Sequence, residues 1–133
     1  MIAFKVEGNP IPKQSFRYAG PKGAYSYQEP RVTAWEQSIG IAAKEAMQGQ
    51  PPIVEPVTIH LNFYRKDART CDIDNLSKAV LDGMKGVVYV DDKQVNELHL
   101  FKCTNRRVPH VEVTVHTEYE QTCEVCETKC FTV

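Results

Sequence analysis

Between residues 57 and 85 the hydrophobic period of the chain switches from two residues to three or four, and this switch limits the fold more than any other feature. Val57, Ile59, Leu61 and Phe63 alternate with Thr58, His60 and Asn62. That is the pattern of a strand burying one face and leaving His60, Asn62 and Tyr64 on the other. After a charged loop, Arg65-Lys66-Asp67-Ala68-Arg69-Thr70, the pattern becomes helical. From Ile73 or Asp74 to Lys85, Leu76, Ala79 and Val80 share a face, and Gly86 stands where helices commonly stop. A strand feeding a helix through a charged turn excludes all-helical and all-β folds and predicts an α/β (α+β) chain.

The rest of the sequence fills in around this unit. Ile2, Phe4 and Val6 alternate with Lys5 and Glu7 as a first strand, which Gly8-Asn9-Pro10-Ile11-Pro12 ends. Residues 8–29 read as a long loop rich in Gly, Pro, Tyr and Lys, a length usually tied to function. From Pro30, the spacing of Trp35, Ile39, Ala42 or Ala43, and Ala46 predicts a helix stopping at Gly49. Gly40 inside it costs about 1 kcal/mol relative to Ala, which points to close packing there. Val87–Val90 reads as a short strand or extended segment delivering Asp91 and Asp92. Residues 95–103 and 108–116 read as two strands around Asn105-Arg106-Arg107, most simply a hairpin. The expected architecture is a mixed β-sheet of about four to five strands with two main helices. It forms one domain over 1–116, followed by an acidic, cysteine-bearing tail over 117–133.

Composition excludes several classes. A chain of 133 residues buries enough surface to fold without disulfides or metal. No apolar run approaches the roughly 18 residues of a membrane span, and the N-terminus lacks a secretory pattern. Five cysteines, an odd number, argue against a disulfide framework. A cytoplasmic protein with no membrane partner is expected. The net charge of −1 disfavours a nucleic-acid partner at first sight, but residues 1–110 carry 15 Lys+Arg against 12 Asp+Glu, and residues 111–133 carry 1 against 5. A mildly basic body with local cationic clusters can steer an anionic ligand.

The chemistry-bearing residues concentrate around Asp72-Ile73-Asp74-Asn75-Leu76. An Asp at a helix start commonly caps free backbone N–H groups. Capping needs one carboxylate, however, and here two stand on alternate residues, with Asp91-Asp92 ending a later apolar run. Mg²⁺ takes oxygen ligands, typically one or two carboxylates with water and phosphate oxygens. Capping and metal binding both remain open on spacing alone. Asp91-Asp92 also fits a solvated turn. Lys78 fits either an ion pair with Asp74 at i,i+4 or a cation placed for a phosphate.

Taken together, the run from Arg65 to Asp82 and the later Val90-Asp91-Asp92-Lys93-Gln94-Val95 resemble the RusA-type Holliday-junction resolvases. In that family a basic loop leads into D-x-D-N-L-x-K, and an apolar residue precedes D-D-x-Q-V. The resemblance is strongest over residues 57–102. It implies a homodimeric, Mg²⁺-dependent (or Mn²⁺-dependent) endonuclease that binds four-way DNA junctions and cuts two strands symmetrically. Carried over by motif position, it implies Asp72, Asp74 and Asp92 as metal ligands, Asp91 as a neighbouring acid in the metal site, and Lys78 as the catalytic lysine. The implied DNA contacts in the basic loop are Arg65, Lys66 and Arg69.

Lys13, Arg17, Lys22 and Arg31, interleaved with Phe16, Tyr18, Tyr25 and Tyr27, suit a loop that contacts phosphates and stacks on bases; a solvated loop fits equally. Lys13 and Arg17 are the expected contacts there. Arg106-Arg107 fits a solvated turn, with phosphate contact as the alternative. Cys123, Cys126 and Cys130 give three thiols where structural zinc takes four ligands. Cys103, His110 or His116 could supply the fourth, but a reduced tail without zinc is the simpler reading. His60 reads as a packing or interface residue. Two further readings stay in view: a branched-DNA-binding protein without catalysis, and a zinc-dependent interaction module built on the tail.

Overall fold

The computed structural model describes residues 1–14, 17–19 and 25–117. In chain order it holds β1 (Ile2–Glu7), β2 (Arg17–Ala19), β3 (Tyr25–Tyr27), α1 (Pro30–Met47), β4 (Val57–Arg65), α2 (Ile73–Met84), β5 (Val95–Thr104) and β6 (His110–Thr117). Single 3-10 turns occupy Ala68–Thr70 and Asp92–Gln94. Four strands form one mixed sheet in the order β1-β6-β4-β5, and β2 and β3 pair separately. The fold is α+β, as the change of period implies.

β4 is the keel. Val57, Ile59, Leu61 and Phe63 are fully buried, and burying each such side chain stabilises by roughly 1.5–3 kcal/mol. Against them pack Trp35, Ile39, Ala43 and Met47 of α1, and Leu76, Ala79, Val80 and Met84 of α2. Of the two alanines the spacing left open, Ala43 is fully buried and Ala42 lies at the core's margin. Both helices cover the same sheet face, since Val111, Val113 and Val115 of β6 are buried beside β4 while its even-numbered neighbours are not.

Three sequence expectations need correction. The two C-terminal strands do not form a hairpin. β4 lies between them, parallel to β5 and antiparallel to β6. The longest unbroken core stripe takes the sheet's interior, and the charged, half-exposed β5 takes an edge. Val87–Val90 is no strand but a compact turn, with Val88 and Tyr89 fully buried and tied by Ile53 N–H to the Val88 carbonyl (2.8 Å) and Gly86 N–H to that of Tyr89 (2.7 Å). Residues 8–29 are not wholly loop, because β2 and β3 pair antiparallel within them.

The close helix approach expected at Gly40 exists, but its tight side belongs to Gly83. A Cβ at Gly40 would stand 3.4 Å from the Gly83 carbonyl oxygen. A Cβ at Gly83 would stand 2.7 Å from Ile39 Cβ and 2.9 Å from the Glu36 carbonyl oxygen.

The sheet face opposite the helices carries His60 stacked on His99 at 4.4 Å between ring centroids, with His116 on its other side at 5.5 Å. This fits the packing role expected of His60. Burial, and then the neighbouring His99 and His116, hold His60 below the usual histidine value, with Glu97 opposing. A histidine depressed by folding binds its proton more readily in the unfolded chain, so stability rises with pH. Its contribution is complete above the ordinary value of 6.5 and disappears as pH falls through the depressed folded value. Urea midpoints measured between about pH 5 and pH 7.5 should therefore rise more steeply in wild type than in His60→Gln. Parallel profiles for the two proteins would contradict this.

Candidate active site

β4 passes into α2 through a loop built from the inside. Arg65 turns inward, 9% exposed: its Nε donates to the Pro10 carbonyl (2.9 Å), and its Nη1 donates to the Asp67 carbonyl (2.9 Å) and Thr70 Oγ1 (2.6 Å). Asp67 accepts from the backbone N–H of Arg69 (3.0 Å) and pairs with its guanidinium. Those hydrogen bonds from Arg69 hold the Asp67 carboxyl below its usual range. Lys102, arriving on β5, donates to the Cys71 carbonyl (2.6 Å) and so fixes the backbone one residue before Asp72.

At the start of α2 the two possible roles of the aspartates separate. Asp72 is the N-cap residue by backbone geometry, yet its side chain makes no capping hydrogen bond. Asp74 follows in the first turn. Asp72, Asp74 and Lys78 are all exposed, and among the described residues none of these three side chains has a hydrogen-bond or ion-pair partner. The i,i+4 pair between Asp74 and Lys78 is not formed. Two carboxylates free of structural duty therefore stand at the positive end of a helix dipole, with an unpaired ammonium one turn further on.

The second acidic pair divides differently. Asp91 is a working cap. Its carboxylate accepts from the Lys93 N–H (3.4 Å), and Gln94 Oε1 accepts from the N–H groups of Asp91 (2.9 Å) and Val90 (2.8 Å). Gln94 Nε2 in turn donates to the carbonyls of Ile53 (2.6 Å) and Glu55 (3.0 Å), anchoring the turn to the β4 linker. Asp92 is exposed, with one oxygen 3.4 Å from the Tyr89 hydroxyl, which itself donates to the Leu81 carbonyl (2.6 Å). Burial, and then Asp92, hold the Tyr89 phenol far above its ordinary value, so it stays a donor. Leu81 lies seven residues beyond Asp74, roughly 10 Å along the helix axis. The expected convergence of Asp72, Asp74 and Asp92 is accordingly not seen within one chain. Among the described residues no three His, Cys, Asp or Glu side chains gather closely enough to hold an ion. The Asp72–Asp74 pair still fits a hard cation, because Mg²⁺ commonly takes one or two carboxylates and fills its remaining positions with water and substrate phosphate.

The loop that leads into this helix carries further cationic groups. Lys66, Asp67 and Arg106 line a shallow hollow of about 460 Å³, and exposed Arg69 adjoins it in sequence. The expected phosphate contacts thus fall into groups: Lys66 and Arg69 face solvent, whereas Arg65 and Lys13 are engaged internally. The Lys13 ammonium meets Glu36 Oε2 (2.9 Å) and Asp82 Oδ2 (2.6 Å). Burial alone would lower its value, but the hydrogen bonds to Asp82 and Glu36 outweigh this and leave it raised. Arg17 opens β2, and its side chain lies outside the described residues, as do Cys123, Cys126 and Cys130. Sequence inspection did not single out Tyr89, Lys102, Glu36 or Asp82. Only the third-turn position of Asp82, on the helix of Asp74 and Lys78, carried a signal.

Comparison with known proteins bears directly on this arrangement. A family model described as Endodeoxyribonuclease RusA matches residues 7–116. A protein of Aquifex aeolicus (strain VF5), the crossover junction endodeoxyribonuclease RusA, is 33% identical over 94 residues, covering 70% of this chain and 73% of its own length.

Proposed function

Since the chain belongs to the RusA endodeoxyribonuclease family, we propose that it resolves four-way DNA junctions by Mg²⁺-dependent, paired phosphodiester hydrolysis. The observation that carries the metal part is the state of the α2 start: Asp72 caps nothing, and Asp74 and Lys78 have no partner among the described residues. Two exposed carboxylates two residues apart at one helix end repel each other, and a bound cation removes that cost.

Asp72 and Asp74 hold the cation. When bound, it offsets the anionic charge that shields a phosphodiester from nucleophiles. Asp92 is a third carboxylate of the proposal by its motif position; within one chain it stands at the Tyr89 hydroxyl, farther along α2. Lys78, one turn beyond Asp74, offers its N–H donors to the scissile phosphate, where negative charge grows in the transition state. Free N–H groups at the start of α2 add to the same field. Lys66, Arg69 and Arg106 contact flanking phosphates, a contribution that weakens steeply with salt. Two symmetric cuts on a two-fold junction require two sites, so the acting form is a homodimer. No described helix is long and apolar enough to cross a membrane. β6 runs through Thr117, and the acidic tail beyond it, residues 118–133, is dispensable for cutting.

A synthetic four-way junction with one labelled strand at a time tests this reading. Expected are nicks at symmetry-related positions with millimolar Mg²⁺, abolished by chelator and unchanged on deleting residues 118–133. Absence of nicking with either Mg²⁺ or Mn²⁺, on any branched DNA, would leave only a binding role.

A further inference from the structure

Among the described residues, a half-buried ion-pair network that joins α1 to α2 closes on Glu36. Its two carboxylate oxygens are divided between the two stems of the segment that carries β2 and β3. Lys13 Nζ, on the entering stem, donates to Oε2 at 2.9 Å, and Gln28 Nε2, on the leaving stem directly after β3, donates to Oε1 at 2.9 Å. Lys13 also reaches Asp82 on α2 at 2.6 Å, and its backbone N–H donates to the Asn75 carbonyl at 2.8 Å, beside Asp74. Gln28 Nε2 is further held by Thr33 Oγ1 at 2.9 Å. The side chains of Lys13 and Glu36 are 18% and 17% exposed, so these contacts are partly shielded from solvent, unlike the surface pairs Lys5–Glu7 and Arg69–Asp67. One carboxylate on α1 thus gathers both ends of the β2–β3 ribbon and, through Lys13, ties them to the helix that bears Asp74 and Lys78.

We infer that Glu36 is a positioning residue for DNA engagement: it clasps the β2–β3 ribbon to the catalytic helix so that the ribbon meets the substrate beside the cut. The inference rests on the junction-cutting function proposed above, and it adds a role for three residues, Lys13, Glu36 and Gln28, none of which touches the reacting atoms. Lys13 then serves DNA through its two carboxylates and not through a phosphate. Fixing the ribbon in advance spares the ordering cost that a loose segment incurs on binding, so the clasp acts on affinity and leaves the cutting step alone.

The test uses the whole chain with Glu36→Ala, Glu36→Gln and Gln28→Ala. Without DNA, trypsin cleavage after Arg17, in β2, followed by mass spectrometry, reports the ribbon's tethering. Expected is cleavage faster by about 10-fold in Glu36→Ala, with intermediate values for Glu36→Gln and Gln28→Ala. With junction DNA, the dissociation constant should rise by about 10-fold in Glu36→Ala, while the single-turnover rate at saturating DNA stays within about 2-fold of wild type. Gln28→Ala, which removes no charge from the network, keeps the comparison available where Glu36→Ala fails to fold. Unchanged proteolysis in the folded variants overturns the clasp. So does faster proteolysis with unaltered affinity, or an equal loss in the saturated rate. A wild type that neither binds nor cuts branched DNA refutes the function instead, and the protease readout separates the two failures.

Discussion

Asp74→Asn should abolish junction cutting, by at least about 10³-fold in single-turnover rate, while leaving junction binding intact. The estimate follows from position. Groups one shell away from a catalytic ion already cost 10–100-fold when changed, and Asp74 is proposed as a direct ligand. The substitution removes one negative charge and no volume. Its structural cost is limited to the interaction of a first-turn carboxylate with the helix dipole, about 0.3–1 kcal/mol, because Asp74 has no partner to lose. Binding should tighten slightly at low salt, since one charge that repels phosphate is gone. Asp72→Asn should behave alike and, lacking a capping bond, should leave the melting temperature almost unmoved. Asp91→Ala is the control: its carboxylate caps the Asp92–Gln94 turn, so losing it should cost stability first and activity second. Rates and gel-shift affinities for these variants separate the roles, and near-wild-type cutting by Asp74→Asn would end the metal assignment.

Gly83→Ala should destabilise the fold by about 2 kcal/mol, whereas Gly40→Ala, the same substitution on the facing helix, should be neutral or stabilising. At Gly83 the new methyl would stand 2.7 Å from Ile39 Cβ and 2.9 Å from a backbone oxygen. Neither can step aside, because Ile39 is fully buried and the oxygen belongs to α1. Overpacking of this kind costs roughly 1–3 kcal/mol or more, against about 1 kcal/mol that Ala returns in helix propensity. At Gly40 the nearest atom is 3.4 Å away, ordinary contact, so the propensity gain dominates. Thermal unfolding checks both: Gly83→Ala should lower the melting temperature by roughly 6–10 °C. A Gly83→Ala protein melting with wild type would mean the helices cross elsewhere.

These two cases mark how far the sequence could be read. Periodicity located β1, α1, β4 and α2 to within a few residues, because each buries one face against a single core. The hairpin assigned to residues 95–116 failed because adjacency in sequence says nothing about which strand is central. That was decided by β4, whose stripe demands neighbours on both sides. Gly40 drew attention as an interior glycine, while Gly83, near a helix end, did not, although the crossing geometry made it the tighter position. The acidic residues were legible as a motif. Their division of labour was not: Asp91 caps and Asp72 does not, a difference set by Gln94 reaching Ile53 and Glu55 across the fold. For Lys13 and Arg65 the sequence shows charge alone; the carboxylates and carbonyls they meet come from residues distant in the chain.

The most direct test of the central assignment is manganese binding followed by the electron paramagnetic resonance signal of free Mn²⁺, in the presence of a four-way junction with non-hydrolysable linkages. Wild type should take up one ion per chain, and the Asp72→Asn/Asp74→Asn double variant should bind it at least about 10-fold more weakly while still holding the junction. A double variant that binds manganese as wild type does would place the cation elsewhere and remove the basis for the proposed chemistry.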